Sequence, residues 1–177
     1  ANGLEIVSPA QLGLLRTKEG KGIFMPYSGT NADVFYDDRT DNVVIVPDGA
    51  ISGLVGTANI ANAHRQDKGF VIPKNQRNLV YAMVDEMLRS GIAFVAPGRQ
   101  TTVQTSKFGK NDLTSRLFSD PRLGIEAQEY GDWLQSKGRD TNTFFMGDED
   151  YSRVQKAPYL NKLRVFSPGN VFDVVGD

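Results

Sequence analysis

The chain has 177 residues, 40% of them hydrophobic, with 20 basic and 21 acidic side chains, one histidine and no cysteine. That length fits one domain able to bury a core without covalent staples; zero cysteines exclude disulfides, thiolate metal sites and thiol catalysis, and one histidine excludes a two-histidine zinc site within a single chain. The net charge of −1 argues against a strongly basic nucleic-acid protein, and no run of about 18 apolar residues is present to span a membrane.

The chain begins at Ala1, which fits either loss of an initiator Met or cleavage of a leader after a small residue. Residues 4–7 read as a short strand. Ser8-Pro9-Ala10-Gln11 then has the spacing of a capping box with proline at the first helical position. Leu12, Leu14 and Leu15 give that helix an apolar side, and Gly20 and Gly22 end it. Residues 22–27, 32–36 and 42–47 look like three strands joined by short polar turns, Ser28-Gly29-Thr30-Asn31 and residues 37–41, hence an antiparallel meander. Pro47-Asp48-Gly49 is a further turn, leading into a strand over 51–55; residues 56–67 read as loop or short helix.

Residues 70–73 are another strand candidate. Asn75 is placed to cap a helix over 76–90, in which Leu79, Val80, Met83, Val84, Met87 and Leu88 fall on one stripe and Gly91 marks the end. Residues 92–96 read as a buried strand and 101–105 as a polar one. Further on, 112–118 is short helix, Asp120-Pro121 opens a helix toward Trp133 and Leu134, 144–146 is a short apolar run, and 148–156 is helical with acids at its start. Residues 163–166 and 171–175 flank Ser167-Pro168-Gly169-Asn170 as a terminal hairpin. Strands interspersed with single helices, without βαβ alternation, favour one α+β domain over 1–177, with a mainly antiparallel sheet packed by the amphipathic helix 76–90 and shorter helices.

Catalytic chemistry has few carriers. His64, in Ala61-Asn62-Ala63-His64-Arg65, is the sole side chain with an unperturbed pKa near neutrality, and a serine hydrolase would need it as base. Ser28, Ser52, Ser90 and Ser106 are available nucleophiles, but none lies in a G-x-S-x-G elbow. Asp37, Asp38 and Asp41 form an acidic loop, yet Arg39 stands where a calcium loop needs its second ligand and the glycine is missing, so no metal is expected there. Asp148, Glu149 and Asp150 read as a helix start. Glu126 and Glu129, beside Tyr130 and Trp133, have the makings of a carboxylate pair for glycoside hydrolysis, though residues three apart on a helix are ordinary neighbours. Gly20-Lys21 and Gly109-Lys110 lack the Ser or Thr of a phosphate-binding loop, so no cofactor is expected.

Charge placement is more informative. Between Arg65 and Arg116 nine basic and four acidic residues leave +5, against −6 over the rest of the chain. Lys68, Lys74, Arg77, Arg99, Lys107 and Lys110 are the candidate contacts for an anionic ligand. The polar, β-prone stretch 99–108 reads as an exposed edge strand or arm open to strand addition. Absent catalytic motifs and segregated charge together lead to the expectation of a non-enzymatic assembly subunit of a multi-subunit particle, such as a virion head, neck or tail component, whose partners are further copies or other protein subunits. A hydrolase using His64 or a carboxylate pair, and a binding module for an anion, are the alternatives.

Overall fold

A computed structural model describes residues 7–19, 27–56, 58–60, 69–98, 100–145 and 157–166. The fold is α+β. The chain divides into two compact units, one built from Thr101–Phe144 with the segments up to Thr30 and from Arg164, the other from Asn31–Gln100 and Phe145–Leu163.

The second unit holds a five-stranded sheet of order β3-β7-β1-β2-β4, with β1 Tyr27–Asp37, β2 Asn42–Val46, β3 Phe70–Val71, β4 Phe94–Val95 and β7 Tyr159–Phe166. Strands β1 and β2 form an antiparallel hairpin in register from Asp33↔Val46 to Asp37↔Asn42, closed by a turn in which Asp41 takes φ 58°. Helix α3, Lys74–Ser90, packs onto this sheet through Val80, Val84 and Met87, which share a buried cluster with Phe35, Val44, Val46, Ile51, Ile72 and Leu160. Its stripe follows the helical period except at one end: Leu79 is 58% exposed. The helix starts two residues before the expected 76. Pro73, extended at ψ 144°, is the residue before it rather than Asn75, and Gln76 N–H closes on Pro73 O at 2.9 Å. Gly91, at φ 77°, ends the helix as expected.

Three expectations fail in this unit. Residues 92–96 are not a buried strand throughout: only Phe94–Val95 is strand, and Ile92 and Val95 are exposed. Residues 28–31 are not a turn but part of the single long strand β1. Residues 51–55 are not a strand but belong to helix α2, Ala50–Val55. One cause is local, Asp48 Oδ1 accepting from the N–H of Ala50 at 3.1 Å, and the other is tertiary, Asp33 taking the N–H and hydroxyl of Ser52. These bonds hold the segment in a turn of helix that buries Ile51, Ser52 and Val55.

The first unit is a small helical assembly with a two-stranded ribbon. Helix α1, Pro9–Glu19, opens with the anticipated box: Ser8 N–H donates to Gln11 Oε1 at 3.0 Å and Gln11 N–H to Ser8 Oγ at 3.1 Å. Helix α4 spans Asp112–Phe118, capped by Asn111. The segment after Asp120 forms only a 3-10 turn, Pro121–Leu123, ended by Gly124 at φ 65°, and the helix toward Trp133 begins later as α5, Ala127–Ser136. Strands β5, Gln100–Gln104, and β6, Thr141–Phe145, pair as the ribbon. Phe108, Phe118, Tyr130 and Phe144 form an aromatic core with centroid spacings of 5.0 to 6.2 Å. The fully buried Arg16 of α1 reaches into it and donates to the Tyr130 hydroxyl at 2.7 Å.

The expected strands over 4–7 (save Val7) and 22–27 (save Tyr27), the helix stop at Gly20 and Gly22, the expected helix over 148–156, and the turn and second arm of the terminal hairpin lie outside the described residues. No helix among the described residues is long and apolar enough to cross a membrane.

Close packing in the first unit depends on Gly131, where an added Cβ would stand 2.3 Å from Thr105 O and 2.8 Å from Phe108 Cβ, while Gly53 on the surface of α2 has open space. Gly131→Ala is expected to lower the unfolding free energy by about 1–3 kcal/mol, the usual cost of overpacking. Gly53→Ala is expected to leave it level or raise it by up to about 1 kcal/mol. Urea unfolding of the two variants checks this.

Candidate functional site

The acidic loop expected as the weak metal candidate is the tip of the β1–β2 hairpin, and its carboxylates are held by partners. Asp37, whose side chain is 3% exposed, receives a forked pair from Arg39, Nε to Oδ1 at 2.9 Å and Nη2 to Oδ2 at 2.8 Å, and the Arg39 N–H as well. The Tyr81 hydroxyl donates to Asp38 at 2.6 Å, and the Tyr36 hydroxyl donates to Asp41. Arg39 continues across to helix α3, giving Asp85 two bonds of 2.8 and 3.1 Å while its guanidinium lies 4.2 Å from the Tyr81 ring centre. The loop is thus a clamp between hairpin and helix. Among the described residues, no three His, Cys, Asp or Glu side chains group as metal ligands.

The clamp sets the local electrostatics. Hydrogen bonding to Asp37, then to Asp85, holds the Arg39 guanidinium above its already high ordinary pKa. The bond from Arg39 keeps the Asp85 carboxyl below the usual range. Burial, reinforced by Asp38, pushes the Tyr81 phenol up to about 12.

A second constellation lies inside the same unit. Asp33 on β1 is fully buried. Its Oδ2 accepts from Ser52 N–H at 2.9 Å, and its Oδ1 accepts from the Ser52 hydroxyl and from Lys162 Nζ, the latter at 2.7 Å. Lys162 on β7, 9% exposed at its side chain, also donates to Asn31 O at 2.7 Å. That carbonyl sits where a Cβ on Gly49 would meet it at 2.4 Å, and Gly49 takes φ 70°, so only glycine fits the turn before α2. Ser52, one of the candidate nucleophiles, is therefore spent on holding Asp33 and is 2% exposed.

The remaining candidates are spread out. His64, Lys68 and Arg99 lie outside the described residues, as do Asp148, Glu149 and Asp150. Lys74 and Arg77 belong to the first turn of α3 in one unit, and Lys107 and Lys110 flank Phe108 in the other. Arg77 Nε donates to Ile72 O at 3.0 Å. Arg89 and Arg116 are paired locally with Glu86 and Asp112. Glu126 and Glu129 line a recess with Ala10, Gly13 and Tyr130, but its cavity is about 10 Å³, room for one water and far below the roughly 300 Å³ at which small-molecule sites begin. Trp133 stacks on Tyr130 at 5.7 Å and is half-buried.

Strand β5 is polar and mostly exposed, with Val103 alone turned into the core. Thr102 and Thr143 join hydroxyls across the ribbon at 2.9 Å. Compared with known protein families, with curated proteins and with solved structures, the chain matches none.

Removing the guanidinium in Arg39→Gln strips a nearly buried carboxylate of its fork, at an expected cost of about 1–3 kcal/mol. The Asp85 contribution has a definite sign. Its folded pKa is depressed, so the stabilisation is present above the ordinary carboxylate range and is lost as pH falls through the lowered value. Urea titrations from neutral pH downward are expected to show a shallower acid decline in Arg39→Gln than in the parent chain; equal slopes would contradict the clamp.

Proposed function

We propose that the chain is a non-enzymatic structural subunit of a multi-subunit particle, of the kind that builds a virion head, neck or tail, and that it works by contact with further copies of itself. The observation that carries this reading is the β5–β6 ribbon. Thr105 N–H donates to Asp140 O at 2.9 Å, toward the β6 side. Backbone groups alternate along a strand, so the N–H groups of Thr102 and Gln104 face the other way. Among the described residues no strand pairs with β5 on that side. An open, uncharged strand bearing Gln100, Thr102 and Gln104 is suited to strand addition by a neighbouring subunit.

Two further features support the reading. The acidic tip and the buried Ser52 are engaged in internal hydrogen bonds. The +5 and −6 segments give complementary charge for a head-to-tail contact, the type of contact that closes rings or extends filaments.

Sedimentation of the full chain tests the reading. The parent is expected to associate as concentration rises, and Gln104→Pro, which removes an outward N–H at an edge position where proline is tolerated, is expected to weaken association at least about tenfold. A parent that stays monomeric at every concentration would overturn the assembly reading. Undiminished association of a folded Gln104→Pro would overturn the role of β5.

A further inference from the structure

We propose that Lys162 and Asp33 are the reactants of an intramolecular isopeptide bond that ties strand β7 covalently to strand β1. The two strands are neighbours in the sheet. The reacting groups are in contact, with Lys162 Nζ 2.7 Å from Asp33 Oδ1, and water is kept away, the side chains being 9% and 0% exposed. Two charges taken out of water carry a desolvation penalty that their mutual attraction only partly offsets. Joining them as a neutral amide removes that penalty permanently. Groups held in contact by a fold react with effective concentrations far above those of free solutes.

The surrounding donors fit the step. A proton passes from Nζ to Oδ1 along the hydrogen bond they share, giving a neutral amine and a carboxylic acid. The Nζ lone pair attacks Cγ, the new N–C bond forms, and the carbonyl electron pair moves onto Oδ2. Ser52 N–H, 2.9 Å from Oδ2, stabilises the oxyanion as a backbone donor does in acyl transfer. The Ser52 hydroxyl, bonded to Oδ1, steadies the departing oxygen. A second proton moves from Nζ to that oxygen, the Cγ–Oδ1 bond breaks, Oδ2 regains its double bond, and one water leaves. Nothing is oxidised or reduced, and no co-reactant is needed. Asn31 O, which accepts from Nζ at 2.7 Å, orients the amine and is left bonded to the amide N–H.

The inference goes beyond the assembly reading and stands or falls separately from it. The test is the intact mass of the purified full chain, folded by circular dichroism, followed by tryptic mapping. The expected result is a mass one water below that of the sequence, with a branched peptide joining the tryptic fragment that ends at Arg39 to residues 157–164, uncut after Lys162. Lys162→Arg is expected to return the chain to its full sequence mass and to slow its migration on a denaturing gel, because the covalent loop is opened. A parent chain at full sequence mass overturns the proposal. So does a water loss mapped elsewhere, such as a succinimide at Asp48-Gly49.

Discussion

One buried carboxylate organises the sheet-containing unit. Asp33 sits between Ala32 and Val34 on β1, and burying a carboxylate costs several kcal/mol unless its oxygens are satisfied. Its two oxygens are satisfied by three donors from two distant segments: the N–H and hydroxyl of Ser52 on α2, and the ammonium of Lys162 on β7. Satisfying Asp33 therefore fixes where α2 begins, why residues 50–55 are helical and how β7 lies beside β1. The same ammonium reaches Asn31 O, and the position of that carbonyl excludes any side chain at residue 49. Removing one partner would leave an uncompensated buried charge, the most damaging change such a network can suffer.

The Arg39 clamp plays a related part at the other end of β1. It joins the hairpin tip to helix α3 through Asp37 and Asp85, with Tyr81 bonding Asp38 alongside. It is more exposed than the Asp33 network, with Arg39 34% and Asp85 49% open to solvent at their side chains, so its electrostatic contribution is screened. What it supplies is position, since the planar guanidinium grips Asp37 and Asp85 at once. Acidic loop residues that suggested metal chemistry are in this way converted into structural contacts.

Local signals in the sequence carried over well where the physics is local. The Ser8–Gln11 box, the stripe of Val80, Val84 and Met87, the stop at Gly91 and the helix 112–118 each rest on residues within a few positions of one another, and each is found. Some errors are local, such as the start of α3 at Lys74 and the 3-10 turn ended by Gly124; others fall where a distant group decides. Residues 51–55 lie in helix α2, where Asp33, some twenty positions earlier, takes the N–H and hydroxyl of Ser52. Residues 28–31 have turn composition but lie within β1. The Asp33–Lys162 pair spans 129 positions. The one available hint was an acid standing between the apolar residues Ala32 and Val34, and nothing near it named the lysine. The acidic tip was legible as a cluster, but its engagement by Tyr36, Arg39 and Tyr81 depends on folded geometry.

Among the described residues, the polar side chains of Asp33, Asp37, Arg39, Ser52, Tyr81 and Lys162 hold parts of the fold together, and strand β5 is polar and mostly exposed. The central claim, that β5 is a contact strand, is tested most directly by amide hydrogen exchange at low and high protein concentration. The amides of Thr102 and Gln104 are expected to gain protection as the chain is concentrated, while those of α3 stay unchanged. Exchange at Thr102 and Gln104 that is independent of concentration, in a sample shown to associate, would contradict it.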